Sequence, residues 1–470
     1  MSQFLISAAH KSSGKTTLSI GLCAALKARG LRVQAFKKGP DYIDPMWLGA
    51  AAGRPCFNLD FNTQTPDEML AEVMHRSQKA EVTLIEGNKG LYDGMALDGA
   101  NSNAALARLL GYPVVLVIDT RGMTRGIAPL LLGYQAFDTE IDIQGVILNQ
   151  VGGSRHEGKL REAVEYYTDI PVLGAVRRDP RLNIDERHLG LMPSNEAERA
   201  AEIVREFGEI VGRQVDLDRL LKLSAPPLRL APPATAPAPA AADCPPVRIG
   251  IARDRAFGFY YPDDLEALER AGAELVPFDT LRDPELPRVD GLFIGGGFPE
   301  TAMRELEANA ALRQAIRQAI EDGLPCYAEC GGLMYLSRSI RWRGEQAEMV
   351  GVVPADTVME ARPQGRGYIR IQETADFPWP ALPGETPAEI AAHEFHYSRL
   401  ENLAPDARFA YQVLRGSGID GRHDGFLYKN LLACYAHLRN TRACRWAERF
   451  VAFVRDCNSH RWQEGAPASR

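Results

Sequence analysis

The stretch that decides the fold is FLISAAHKSSGKTTLSIGLCAALKARG, residues 4–30. FLISAA (4–9) is an apolar run of strand length. TTLSIGLCAALKARG (16–30) has the pattern of a helix. Between them lies Ala9-His10-Lys11-Ser12-Ser13-Gly14-Lys15-Thr16. A strand, a small-residue loop ending in Gly-Lys-Thr and a helix are the context of a P-loop. There, backbone N–H groups and the helix N-terminus cradle phosphates, the lysine reaches the terminal oxygens and the hydroxyl can ligate Mg²⁺. Ala9 stands where the motif has its first glycine. The expected ATP-binding set is Ser12, Ser13, Gly14, Lys15, Thr16 and Thr17.

A Mg²⁺–phosphate site also needs carboxylates. Glu86 ends the apolar strand VTLIEG (82–87), and Asp93 follows in the same loop, NKGLYDG. Lys37-Lys38-Gly39-Pro40-Asp41-Tyr42-Ile43-Asp44-Pro45 follows another strand. In open α/β sheets ligands gather at such strand ends. These acids and the lysine pair can hold Mg²⁺, position a γ-phosphate and receive an anionic substrate. Asn149 ends GVILN (145–149), where an amide can read a purine edge or serve as a loop amide. His156 reads as a surface or capping histidine.

Further strands are expected at RVQAF (32–36), PVVLVID (113–119), IQGVILNQV (143–151) and PVLGAV (171–176), then at VRIGIA (247–252), DGLFIGG (290–296) and LPCYAE (324–329). Strands this apolar, separated by helical patterns, imply parallel sheets in two doubly wound α/β domains. Residues 225–246 hold eight Ala and eight Pro in 22 positions, a composition suited to a semi-stiff tether. The expected organisation is 1–224, the linker 225–246, 247–456 and a tail 457–470.

Composition narrows the function class. The chain has 470 residues, 45% hydrophobic and 24% charged, with a net charge of −7. That argues against nucleic acid as a partner. No apolar stretch is long enough to span a membrane, no leader pattern opens the chain, and the eight scattered cysteines suit a reducing cytoplasm.

In the second half, Pro325-Cys326-Tyr327-Ala328-Glu329-Cys330-Gly331-Gly332 reads as strand, sharp turn and helix. The turn places Cys330 at a helix N-terminus, which lowers a thiol pKa. Gly295-Gly296-Gly297 follows another strand. The N–H groups of Gly296, Gly297 and Gly331 are the expected oxyanion donors. A cysteine with a distant histidine, His437, is the pattern of a thiol acyl-transfer enzyme. Cys326, Cys434 and Cys444 read as structural. His393-Glu394-Phe395-His396 has H-E-x-H spacing, which does not place both histidines on one helix face, so zinc is not expected there.

An ATP site tethered to a thiol hydrolase implies one coupled reaction. ATP activates a carboxylate as an acyl phosphate, and ammonia released from glutamine converts it to an amide. On GPDYIDP (39–45), GRPCFNLD (53–60), EGNKGLYDG (86–94), GVILNQVGGSRH (145–156), GGGFPE (295–300), AECGGLMYL (328–336) and HEFHYS (393–398), the chain resembles the cobyrinate a,c-diamide synthases over nearly its whole length. The resemblance implies a dethiobiotin-synthetase-like P-loop domain joined to a class I glutamine amidotransferase-like domain. It implies ATP and glutamine as co-substrates, Mg²⁺ as cofactor, and amidation of the a and c acetates of a tetrapyrrole polycarboxylate in cobalamin biosynthesis. A homodimer is among the expected partners.

By the same resemblance Thr16, Asp41 and Glu86 are metal candidates. Tyr42, Asp44 and Asp93 orient substrate or the phosphorylated intermediate, and Asn149 faces adenine. Cys330 is the nucleophile and His437 its base, with Arg439 where many class I triads carry a glutamate. AHKSSGKTT (9–17) and the tryptophan of Met46-Trp47, which stands in place of Phe-His, also resemble a branch that amidates sirohaem; nickel-sirohydrochlorin is a third ring. Trp47 and Tyr42 can stack on such a ring, and Lys37, Lys38 and Lys89 can pair with its carboxylates or lie in solvated loops. An alternative of another class is a deviant P-loop ATPase switch carrying a degenerate glutaminase-like binding module.

Overall fold

The computed structural model describes residues 2–184, 186–187, 190–196, 199–223, 245–384 and 389–464. The N-terminal apolar run forms the strand Ser2–Ala8, the middle member of a seven-stranded sheet. Across the sheet the strands run Phe57–Leu59, Val33–Lys38, Val82–Glu86, Ser2–Ala8, Val114–Asp119, Ile143–Val151 and Val172–Arg177. Every pairing is parallel.

The pleat sends alternate side chains to opposite faces. Phe4, Ile6 and Ala8 join a core with the helices Lys15–Ala28, Ile43–Ala52 and Ala200–Gln214. Leu5 joins the other core, under Pro66–Ser77, Asn103–Leu110, Ile127–Phe137 and Ser154–Tyr167. Both faces are covered, which is why these strands read as unbroken apolar runs. The edge strand Phe57–Leu59 is too short for its periodicity to be read from sequence. Because the strands are parallel, the loops after Ala8, Lys38 and Glu86 open at one edge of the sheet.

The second unit has a nine-stranded sheet. Five strands, Ala273–Phe278, Val247–Ala252, Gly291–Ile294, Cys326–Glu329 and Leu431–Cys434, are parallel. The parallel sheet expected from the apolar runs ends there. His423–Tyr428, Arg408–Arg415, Gly365–Glu373 and Ile390–His396 extend it antiparallel.

The chain divides into two compact units at Ala234/Thr235, inside the Ala/Pro-rich segment. Of that segment, residues 225–244 lie outside the described ones. The last helix, Trp446–Glu464, runs past residue 456, where the second domain was expected to end. Trp446, Phe450, Val451 and Val454 recur at helical spacing and are buried in the second unit. Among the described residues no helix is long and apolar enough to cross a membrane.

Candidate functional site

In the first unit the loop after Ala8 turns into the helix Lys15–Ala28 through Ser12 (φ 63°) and Gly14 (φ 85°). Ala9 is not among the positive-φ residues, so alanine is tolerated at the motif's first glycine position without strain. The helix has no side-chain N-cap, which leaves its first amides facing the loop. Ser13 donates to the His10 carbonyl (2.8 Å), and Tyr134 donates to the Ala9 carbonyl. Lys15 is buried; burial, then the Lys37 ammonium, lower its pKa to about 8.

Asn149 donates its amide to the Ser13 carbonyl (2.9 Å) and presses on Gly14, where a Cβ would meet it at 2.2 Å. It is 4% exposed. Asn149, expected to read a purine edge or serve as a loop amide, here braces the P-loop from the end of a neighbouring strand.

Thr16, Lys37, Asp41, Asp44 and Glu86 meet beside the loop. Thr16 Oγ1 lies 2.7 Å from Glu86 Oε1 and 3.2 Å from Asp44 Oδ2. Lys37 Nζ donates to Asp44 (2.6 Å) and Glu86 (2.8 Å) and lies 4.0 Å from Asp41. Burial opposes the Lys37 charge, but Asp44, Glu86 and Asp41 outweigh it and hold the ammonium well above its ordinary pKa. Asp41 Oδ1 accepts the N–H groups of Ile43 and Asp44, and burial, then Asp44, push its carboxyl up to about 7.

Lys37 and Lys38 were expected to meet substrate or to lie in solvated loops. Both are instead buried at the end of a strand, Lys38 donating to Asn88. A buried ammonium among carboxylates was the feature that sequence did not reveal. Its one signal is the strand itself, whose every residue is buried.

The Glu86 Oε2 atom is buried with no hydrogen-bond partner. An orphaned carboxylate oxygen beside a threonine hydroxyl suits a hard cation whose remaining ligands are phosphate oxygens and water. Among the described residues no three His, Cys, Asp or Glu side chains enclose a metal by themselves. Asp93 is exposed and accepts the Gly90 N–H (3.0 Å), and Gly90 packs against the Ala9 carbonyl, which brings that loop to the P-loop. Asn103, buried behind it, donates to the Gly90 carbonyl and to Ser7. Tyr42 is nearly buried, at the N-cap of Ile43–Ala52.

Trp47 does not face a ligand. It has no exposed surface, and its indole donates to the Met192 carbonyl (2.8 Å). The helix Ile43–Ala52 turns this residue toward the sheet and the helix Ala200–Gln214, so its expected stacking on a ring is corrected to a packing role.

In the second unit Cys330 has φ 47° and ψ −99° between the strand Cys326–Glu329 and the helix Gly331–Leu336. This is the strained elbow that exposes a nucleophile at a sheet edge. Gly332 is required: a Cβ there would lie 2.1 Å from the Ile294 carbonyl. A Cβ on Gly331 would lie 2.9 Å from the Gly297 nitrogen, so that amide faces the elbow. Gly296 lies against the His437 ring, where a Cβ would be 2.7 Å from Cε1.

His437 is 3% exposed and within hydrogen-bonding reach of Cys330. Its Nδ1 lies 3.3 Å from Glu329 Oε2. Burial opposes its charge, but hydrogen bonds to Cys330 and Glu329 outweigh this and push it up to about 10. Glu329 Oε1 accepts from Tyr327 (2.6 Å) and from the Leu438 N–H (3.0 Å).

Sequence reading sought an acid after His437 and found Arg439, which instead pairs with Asp263 (2.8 Å). The acid that orients His437 directly precedes Cys330. The available signal was strand alternation, which puts Tyr327 and Glu329 on one face. His393 and His396 are both buried and stack on different partners, His437 and Tyr435.

Residues 5–191 match the CobQ/CobB/MinD/ParA nucleotide binding domain, and 248–442 the CobB/CobQ-like glutamine amidotransferase domain. The chain is 49% identical over 462 residues to a cobyrinate a,c-diamide synthase of Magnetococcus marinus, covering 97% of this chain and 98% of that one. It is 43% identical to the Methanosarcina acetivorans protein of the same name (92% and 91% covered) and 38% identical to that of Listeria monocytogenes serotype 4b (93% and 96%). With a P-loop unit and a cysteine-elbow unit in one polypeptide, the chain belongs to the cobyrinate a,c-diamide synthase family of glutamine-dependent amide-forming ligases.

Proposed function

We propose that this enzyme converts the a and c acetate groups of a cobyrinate-type tetrapyrrole to amides, using ATP and glutamine, through acyl phosphates. The observation that carries this reading is the Cys330–His437–Glu329 constellation, in a chain that also holds a P-loop beside Thr16 and Glu86.

In the first unit Lys15 and the first amides of its helix hold the ATP phosphates. An acetate oxygen attacks the γ-phosphorus, the bond to ADP breaks, and an acyl phosphate forms. Thr16 and Glu86, with Asp41 and Asp44 nearby, would hold Mg²⁺, which when bound offsets the negative charge on the transferring group. Asp93, exposed in a loop that touches the P-loop, orients the substrate. Ammonia then attacks the acyl carbon and phosphate leaves.

In the second unit the Cys330 thiolate attacks the glutamine carboxamide. The N–H groups of Gly297 and Gly331 face the developing oxyanion. His437, held by Glu329, protonates the departing ammonia and then activates the water that hydrolyses the thioester. The sirohaem alternative drew on AHKSSGKTT (9–17) and on Trp47, and Trp47 has no surface to offer a ring. We therefore favour the cobyrinate type.

The test is mass spectrometry of products from cobyrinate, hydrogenobyrinate, sirohaem and nickel-sirohydrochlorin with ATP, Mg²⁺ and glutamine. Two amides on cobyrinate or hydrogenobyrinate, with ADP formed in step, are expected. Two amides on sirohaem alone would overturn the ring assignment, and ATP turnover with no amide on any ring would overturn the ligase reading. Cys330→Ala is expected to lose glutamine-supported amidation and keep activity with high ammonia. Lys15→Ala is expected to lose both.

A further inference from the structure

His393 opens the HEFHYS segment (393–398) and makes no direct bond to Cys330 in the chemistry above. It sits on the strand Ile390–His396 and is 6% exposed. Its ring lies flat on that of His437, with centroids 4.8 Å apart and planes inclined by 14°. The two backbones are bridged as well: His437 N–H donates to the His393 carbonyl (2.8 Å), and His393 N–H to the His437 carbonyl (3.4 Å).

Gly296 also closes on the His437 ring, at a distance that leaves no room for a Cβ. The ring is thus confined by His393 and Gly296, while its polar atoms reach Glu329 and Cys330. His393 is itself anchored. Its Nδ1 lies 3.4 Å from the Tyr261 hydroxyl, and Tyr261 lies under the Arg439 guanidinium at 4.8 Å, which pairs with Asp263.

We propose that His393 is a positioning residue whose ring, together with Gly296, forms a slot that holds the His437 imidazole in the plane joining Cys330 to Glu329. The inference rests on reading Cys330 and His437 as the glutaminase pair. A histidine ring turns through a broad range about its last torsion, and catalytic geometry tolerates only about 10–20°. A stacked face restricts that turn without competing for either ring nitrogen.

The groups facing His437 are Glu329, Cys330 and His393, with Tyr261, Arg439 and Asp263 behind His393. Burial, then the charges of His437 and Arg439, hold His393 well below the usual histidine pKa. It is therefore neutral and sets no like charge beside a protonated His437.

The test uses the full-length enzyme and its His393→Ala and His393→Phe variants. Two readouts are taken: glutaminase kcat and KM, and the pH dependence of iodoacetamide alkylation at Cys330, followed by peptide mass spectrometry. His393→Ala is expected to lower kcat by about 10²-fold with little change in KM for glutamine. It is also expected to move the acid limb of alkylation, because a misaligned imidazole no longer faces the Cys330 sulfur. His393→Phe keeps a flat face and is expected to restore most of both. Ammonia-supported amidation, unchanged in both variants, reports an intact protein.

An unmoved limb in His393→Ala, or equal impairment of the Phe and Ala variants, would overturn the slot. If the Ala variant does not fold, the Phe variant decides alone: near-wild-type kcat and limb support the slot, and a shifted limb rejects it. Glutaminase activity surviving in Cys330→Ala would instead overturn the underlying assignment of the pair.

Discussion

Glu329 Oε2 lies 3.3 Å from Nδ1 of His437, and the two residues are 108 positions apart. The acid adjoins the nucleophile in sequence but serves the histidine in space. Its other oxygen is fixed by Tyr327 and by the Leu438 N–H, so the carboxylate has little freedom to turn away. Glu329→Gln keeps the shape and removes the charge that favours an imidazolium. Glutamine-supported kcat is expected to fall by about 10²–10⁴-fold, as for loss of an orienting carboxylate in other triads. Ammonia-supported amidation is expected to be unchanged. Steady-state assays with the two nitrogen sources check this, and equal loss in both would remove Glu329 from the triad.

The protonated form of His437 also links stability to pH. Its folded pKa, about 10, lies above the ordinary value of 6.5. A raised histidine stabilises the fold fully below the unfolded pKa, and that contribution is lost as pH rises through the folded pKa. Wild-type Tm is therefore expected to decline from about pH 6.5 to about pH 10, and the decline to flatten in Cys330→Ala, which removes one of the partners that raise the pKa. Parallel calorimetric pH series that superimpose for the two proteins would contradict this.

Lys37 supplies the one ammonium within hydrogen-bonding distance of both Glu86 and Asp44 among the described ion pairs. Replacing it by methionine leaves those acids buried without their cation, at a cost of about 3–5 kcal/mol. Denaturant unfolding is expected to show this loss, and amidation is expected to fail with glutamine and ammonia alike. Full activity with ammonia would show that Lys37 lies outside the reaction.

Trp47 offers a separate check on ring choice. Trp47→Phe removes the bond to Met192 and some buried surface, for an expected loss of about 1–3 kcal/mol. The ratio of kcat/KM values between cobyrinate and sirohaem is expected to stay unchanged. A shift in that ratio would return the loop to a ring-reading role.

The order strand, Gly-Lys-Thr loop, helix was legible because each part depends on near neighbours: apolar runs, glycines that permit φ 85°, and helix-forming residues after them. The elbow at Cys330 was legible for the same reason, since two glycines directly follow it. Packing across the sheets decided the rest. The register of Val33–Lys38 beside Val82–Glu86 puts Lys37 opposite Glu86 and turns a lysine expected at a surface into the centre of a buried cluster. The close fit of Asn149 on Gly14 makes a strand-end amide a brace. The face that Ile43–Ala52 turns to its core takes Trp47 out of reach of any ligand. His393, Gly296 and the adjacent pair Glu329-Cys330 come from three separate places in the chain to surround one imidazole, and no local pattern encodes such a meeting, because it depends on which strands pair and at what register.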